Sequence, residues 1–226
     1  MIESLLKKIF PVQYGLPIDS VVVPIRRYNS PFTCSDEKSC VSCLSNLERE
    51  YRRECNKEIL KVNNNGTEIA VIEFEKYIAQ FEKTTANVKD RCDLIMSDGG
   101  MEHKKIVFCD LCCYEEMYVE PNNGKYPMGK RAKARQQMER SIEVFLQEST
   151  TAINLLTYPE KVCLFAWRDY DVPDTHVAAQ PRNARANVQA FRTSISNLAV
   201  QKTTHQQRMG HNFTFMQVKY PSVYNW

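Results

Sequence analysis

Glycine is scarce, with seven residues in 226, so a glycine-rich phosphate-cradling loop is not expected. No apolar run approaches the roughly 20 residues that a membrane-spanning helix requires. The N-terminal MIESLLKKIFPV is amphipathic, lacks a long apolar segment and a small-residue cleavage site, and does not read as a signal peptide. From Thr175 to the end of the chain there is no acidic residue. There are no internal repeats and no low-complexity tract.

What is present is a basic asymmetry. Between Asn122 and Arg140 stand Lys125, Lys130, Arg131, Lys133, Arg135 and Arg140, against Glu139 alone. The acid-free C-terminal stretch carries Arg182, Arg185, Arg192, Lys202, Arg208 and Lys219. The net charge is only +3, so this is an arrangement and not an excess. Such clustering suits a phosphate-binding face, and it equally suits solvated basic helices. Nine cysteines without a secretory signal point to a reducing, cytoplasmic setting in which thiols stay free or bind metal.

Cys34, Cys40 and Cys43 cluster in one polar loop, and Cys55 follows twelve residues later. A Cys-x2-Cys pair offers two thiolates to one ion, and structural zinc takes four ligands. Cys55 also fits a helical stripe with Leu44, Leu47, Tyr51 and Ile59, so a zinc site, an iron–sulfur site and free thiols all remain open here.

The pattern predicts a short helix over 2–10 and an extended edge segment at 21–25, where Pro24 bars a central position. After the Asn63-Asn64-Asn65-Gly66 break, Thr67 reads as the N-cap of a second helix with Val71, Phe74, Ile78 and Phe81 on its buried face. Glu75 lies at the border of that face. Two short apolar runs, 91–96 and 105–113, flank Ser97-Asp98-Gly99-Gly100 and read as a β-hairpin. Each holds an aspartate, Asp93 or Asp110, where a buried strand prefers an apolar residue. Two carboxylates on adjoining strands can meet at one point and hold a divalent metal. A basic helix over 130–149 follows, with Gln137 beside its core stripe, and then a central strand at 161–167. A helix at 184–199 and a last strand at 212–218 complete the expectation.

This order of helix, hairpin with two aspartates, basic helix and apolar strand resembles the PD-(D/E)xK nuclease superfamily, the fold of type II restriction enzymes. The resemblance covers roughly residues 67–170. It implies an α/β fold with a restriction-endonuclease-like core, a mixed central β-sheet flanked by helices. Residues 1–66 would be an N-terminal extension with the cysteine-rich loop, and 67–226 the core with its basic C-terminal region.

The resemblance further implies that Asp93 and Asp110 bind Mg²⁺ or Mn²⁺, with Glu75 as an upstream acid and Gln137 as the helical glutamine. The family's third motif residue is a lysine, whereas this chain reads Asp110-Leu111-Cys112. Alternation along a strand puts Asp110 and Cys112 on one face, so a thiol stands where the ammonium is expected. Lys130 or Lys133 from the following helix, or Lys105 from the strand's start, is then the candidate for the lysine's role.

Three functions follow as expectations. The first is a nucleic-acid-binding, metal-dependent endonuclease, of a restriction or phage-defence system, with DNA as partner. The second is a catalytically inactive subunit of the same fold, acting on DNA, a protein partner or a second copy of itself. The third is an interaction module built on a zinc knuckle. His103, His176, His205 and His211 sit in polar segments and show no nucleophile partner, apart from a weak pairing of His103 with Cys112.

Overall fold

The computed structural model describes residues 2–35, 58–82, 84, 86, 89–99, 104–122, 127–147, 149–169 and 207–226. Cys40, Cys43 and Cys55, the stripe from Leu44 to Tyr51, the helix expected at 184–199, and His103, His176 and His205 lie outside the described residues.

The chain opens with an irregular helix, α1, whose successive turns are Ile2–Ser4, a π-helical Leu5–Ile9 and Phe10–Gln13. Strands β1 (Ile25–Tyr28), β2 (Phe32–Ser35), β3 (Glu58–Asn63) and β4 (Ile69–Glu73) follow, then a short helix α2 (Phe74–Ala79). The hairpin is β5 (Leu94–Asp98) and β6 (Lys105–Tyr114). Helices α3 (Gly129–Leu146) and α4 (Ser149–Leu156) lead into β7 (Glu160–Asp169). Strands β8 (Gln207–Arg208), β9 (Thr214–Lys219) and β10 (Val223–Asn225) close the chain.

Seven strands form one mixed sheet in the order β1-β4-β5-β6-β7-β9-β8, and β10-β3-β2 form a second, smaller sheet. β4, β5 and β6 make an antiparallel meander, whereas β6, β7 and β9 run parallel. The two faces of the large sheet are both covered. Ile106, Phe108, Phe165 and Phe215 meet α1 and α3 through Leu6, Phe10, Met138 and Phe145. Val107, Cys109, Leu164 and Val218 meet the small sheet through Ile59, Leu60 and Val62. Two-sided burial explains why β5, β6 and β7 read as nearly continuous apolar runs. The architecture is thus mixed α/β, a large mixed sheet flanked by helices and backed by the small sheet.

The segments before residue 66 contribute to both layers. Ile2, Leu6 and Phe10 share the core of α3, and β1 is an edge strand of the large sheet, starting just after Pro24 as a proline-marked edge should.

Three local expectations need correction. Thr67 caps no helix: Ile69-Ala70-Val71-Ile72 is strand, because its branched residues pair with β1 on one side and β5 on the other. Only Phe74–Ala79 is helical. Ile59 belongs to strand β3 and not to a helical stripe, since Glu58–Asn63 pairs with β2 on one side and β10 on the other. The hairpin does not break at Ser97 and Asp98. Both remain paired with β4, and the Asp98 carboxylate accepts from the N–H groups of Lys104 at 2.9 Å and Lys105 at 3.2 Å, fastening the returning strand.

Candidate functional site

The hairpin register sets Leu94 opposite Cys109. Asp93 lies just ahead of the strand, and its backbone N–H donates to the Cys109 carbonyl at 3.1 Å. Its carboxylate Oδ2 accepts from the Leu111 N–H at 2.7 Å. Because β5 is antiparallel to β6, the amino end of one lies beside the carboxyl half of the other. That is how Asp93 reaches the stretch of β6 that holds Cys109, Asp110 and Leu111.

Asp93 is fixed from two further directions. Its carbonyl accepts from Phe74 N–H at 2.8 Å and Glu75 N–H at 3.3 Å, at the first turn of α2. On the other side, α3 grips the residues leading to it: Gln137 Nε2 donates to the Arg91 carbonyl at 3.0 Å, and Ser141 Oγ accepts from Cys92 N–H at 2.9 Å. Gln137 therefore serves the backbone that carries Asp93. Glu75 is half-exposed and turned toward Arg91, 3.7 Å away. Asp93, Glu73, Glu75, Arg26, Lys76 and Tyr28 all line a cleft of about 150 Å³.

Asp110 is 7 % exposed and lies in the middle of the β6 row Phe108, Asp110, Cys112. Burial pushes the Cys112 thiol well above its usual range, and the Asp110 carboxylate adds to this while Lys130 opposes it. At physiological pH Cys112 is a neutral thiol and cannot act as the motif lysine.

Lys130 approaches from the first turn of α3. Its Nζ lies 3.6 Å from the centroid of the Tyr114 ring, two residues beyond Cys112 on the same face of β6. Gly129 makes this approach feasible. It holds φ +74°, and a Cβ there would come within 2.5 Å of the Glu120 backbone. Lys133, one turn further along α3, is exposed, and Lys105 is committed elsewhere. Lys105 pairs with Glu160 at 2.8 Å and lies over the rings of Tyr224 and Trp226.

Of the residues singled out from sequence, Asp110, Lys130 and Asp93 lie near enough to Cys112 to act on its thiol. Glu75 and Gln137 stand around them in supporting contacts. Among the described residues no three His, Cys, Asp or Glu side chains are grouped to hold a metal ion. Of the proposed zinc ligands only Cys34 is described. It is buried in β2, with burial pushing its thiol up to about 12. Tyr114, Arg91 and Ser141 escaped notice as site residues. Tyr114 could have been found, since it continues the alternation Asp110, Cys112, Tyr114.

No helix among the described residues is long and apolar enough to cross a membrane. No family model, no curated protein and no solved structure matches this chain.

Proposed function

We propose that this chain is a nucleic-acid phosphodiesterase with a restriction-endonuclease-like core, in which Lys130 takes the place that Cys112 leaves vacant. The observation that carries the reading is the Asp93 carboxylate bonded to the Leu111 N–H, next in the chain to Asp110, with the Lys130 ammonium near Cys112. In support of the reading, the short helix α2, the hairpin β5–β6, the basic helix α3 and the apolar strand β7 follow one another along the chain.

Two carboxylates are an adequate protein share for Mg²⁺ or Mn²⁺, which takes oxygen ligands and keeps several of its waters. Asp93 and Asp110 would hold the ion, leaving Asp93 Oδ2 also bonded to Leu111. Glu75, turned to Arg91, is not needed as a third ligand. When bound, such an ion stabilises charge at phosphorus and lowers the pKa of its water. The chain's own residues supply the rest. Lys130 places a cation where the attacking water or the scissile phosphate would sit, Tyr114 holds its ammonium in position, and Gln137 and Ser141 keep Asp93 in register. Basic side chains on α3 would draw the phosphate backbone in, which makes binding salt-dependent.

The test is cleavage of supercoiled plasmid and of single-stranded DNA and RNA by purified protein with Mg²⁺ or Mn²⁺. Cleavage by the wild type and none by Asp110→Asn supports the reading. Intact nucleic acid under all these conditions sinks it. A second reading rests on the neutral, buried Cys112: a subunit that binds nucleic acid without cutting it. Salt-sensitive binding that is indifferent to divalent ions would favour that alternative.

A further inference from the structure

The face of the large sheet that carries Asp110 continues beyond it. In the parallel strands β6, β7 and β9, Asp110 is level with Phe165 and Gln217, and Cys112 is level with Trp167 and Lys219. Phe108, Phe165 and Phe215 all belong to the helix-side core, so the alternation puts Asp110, Trp167, Gln217 and Lys219 on that same face. The carboxyl ends of these three strands lie together, where open α/β sheets generally bind ligands.

Two polar atoms here lack partners. Trp167 is 3 % exposed, and its indole Nε1–H makes no hydrogen bond. Gln217 Oε1 is likewise buried and unbonded. Buried polar groups are nearly always satisfied, and those that are not call for an explanation such as an absent ligand or water. Lys219 lies over the Trp167 ring, its Nζ 4.5 Å from the centroid. Its carboxylate partner, Glu116 at 3.0 Å, is itself 65 % exposed and so is weakly held. An ammonium, an indole N–H and an amide that carries an NH₂ are three donors on one face of the sheet. An anion suits them.

We infer that Trp167, Gln217 and Lys219 form a phosphate subsite that holds a nucleic-acid strand beyond the scissile position, Lys219 exchanging Glu116 for a backbone phosphate. Lys219 stands two strands from Cys112, roughly 10 Å at the usual inter-strand spacing, and so beside the acids without touching them. This inference rests on the phosphodiesterase reading of Asp93 and Asp110.

The experiment measures binding of a labelled single-stranded DNA of roughly 20 nucleotides, longer than one site of this kind needs. The full chain is kept in EDTA so that the strand is held and not cut. Lys219→Gln should weaken binding about tenfold and reduce the slope of log K against log salt by about 0.7. Lys219→Arg should retain both, and Lys8→Gln, on α1, is the control for general loss of charge. Trp167→Phe, which keeps a ring and removes the N–H, should bind about threefold or more weakly, as expected for a donor lost opposite an anion. In a Trp226→Phe background Trp167 is the sole tryptophan, and its emission should change when the strand is added.

Lys219→Gln and Trp167→Phe binding no worse than Lys8→Gln overturns the subsite, even if the wild type cleaves DNA. Weakened binding by both variants in a chain that cleaves nothing upholds the subsite and sinks the phosphodiesterase. A wild type that binds no strand overturns both.

Discussion

Asp93 and Leu111 are joined across the hairpin: the carboxylate Oδ2 of the first accepts the backbone N–H of the second at 2.7 Å. The bond ties the acid that precedes β5 to the residue that follows Asp110. It fixes the Asp93 carboxylate relative to the backbone of β6.

That bond separates charge from geometry. Asp93→Asn keeps an acceptor for Leu111 and loses the negative charge, so its melting temperature should stay close to wild type while metal-dependent cleavage disappears. Asp93→Ala removes the acceptor as well and leaves a largely buried N–H unpaired, costing about 1–3 kcal/mol. Thermal unfolding beside a plasmid-nicking assay resolves the two. Equal destabilisation by both variants would show that the bond carries no structural weight.

Lys130 and Cys112 can be tested as an exchange. Lys130→Met should lower cleavage about 100-fold or more, in the range lost with a group that assists proton transfer. Cys112→Lys in that background puts an ammonium back at the motif position and should recover part of the rate. Lys133→Met, which removes an exposed lysine one turn along α3, should leave the turnover rate near wild type. Loss of rate with Lys133→Met and none with Lys130→Met would reverse the assignment.

The sequence carried the hairpin and the basic helix, because each depends on local periodicity and one antiparallel register. It hid β3 and β4. Ile69-Ala70-Val71-Ile72 followed by Phe74 and Ile78 satisfies both a helical stripe and a strand buried on both faces, and only pairing with β1 and β5 decides between them. The sequence offered Lys105, Lys130 and Lys133 as candidates for the missing lysine. Proposing Lys130 among them needed the backbone crossing at Gly129 and the ring of Tyr114, neither of which leaves a spacing signal.

Burial holds the sheet thiols in the neutral form. Cys92, Cys109, Cys112 and Cys163 are all raised, with burial the largest cause in each. Since the thiolate is the nucleophile, native protein treated with iodoacetamide at pH 8 should keep these four unmodified and lose them only on unfolding. Peptide mass spectrometry would report this residue by residue. Rapid labelling of Cys112 in the folded chain would mean that its face of the sheet opens to solvent.

Gly129 connects backbone conformation to the site. With φ at +74° and the Val119–Pro121 backbone within 2.7 Å of any added Cβ, it permits a contact that alanine cannot make. The same crossing is fastened by Arg131 N–H donating to the Val119 carbonyl at 3.1 Å. Gly129→Ala should therefore cost more than the roughly 1 kcal/mol of a strained left-handed residue, because the first turn of α3 must also move away from Val119. Lys130 moves with that turn. Cleavage should fall further than the loss of folded protein explains, with strand binding in EDTA affected less. A Gly129→Ala protein with lowered stability but full specific activity per folded molecule would show that Lys130 does not depend on this crossing for its position.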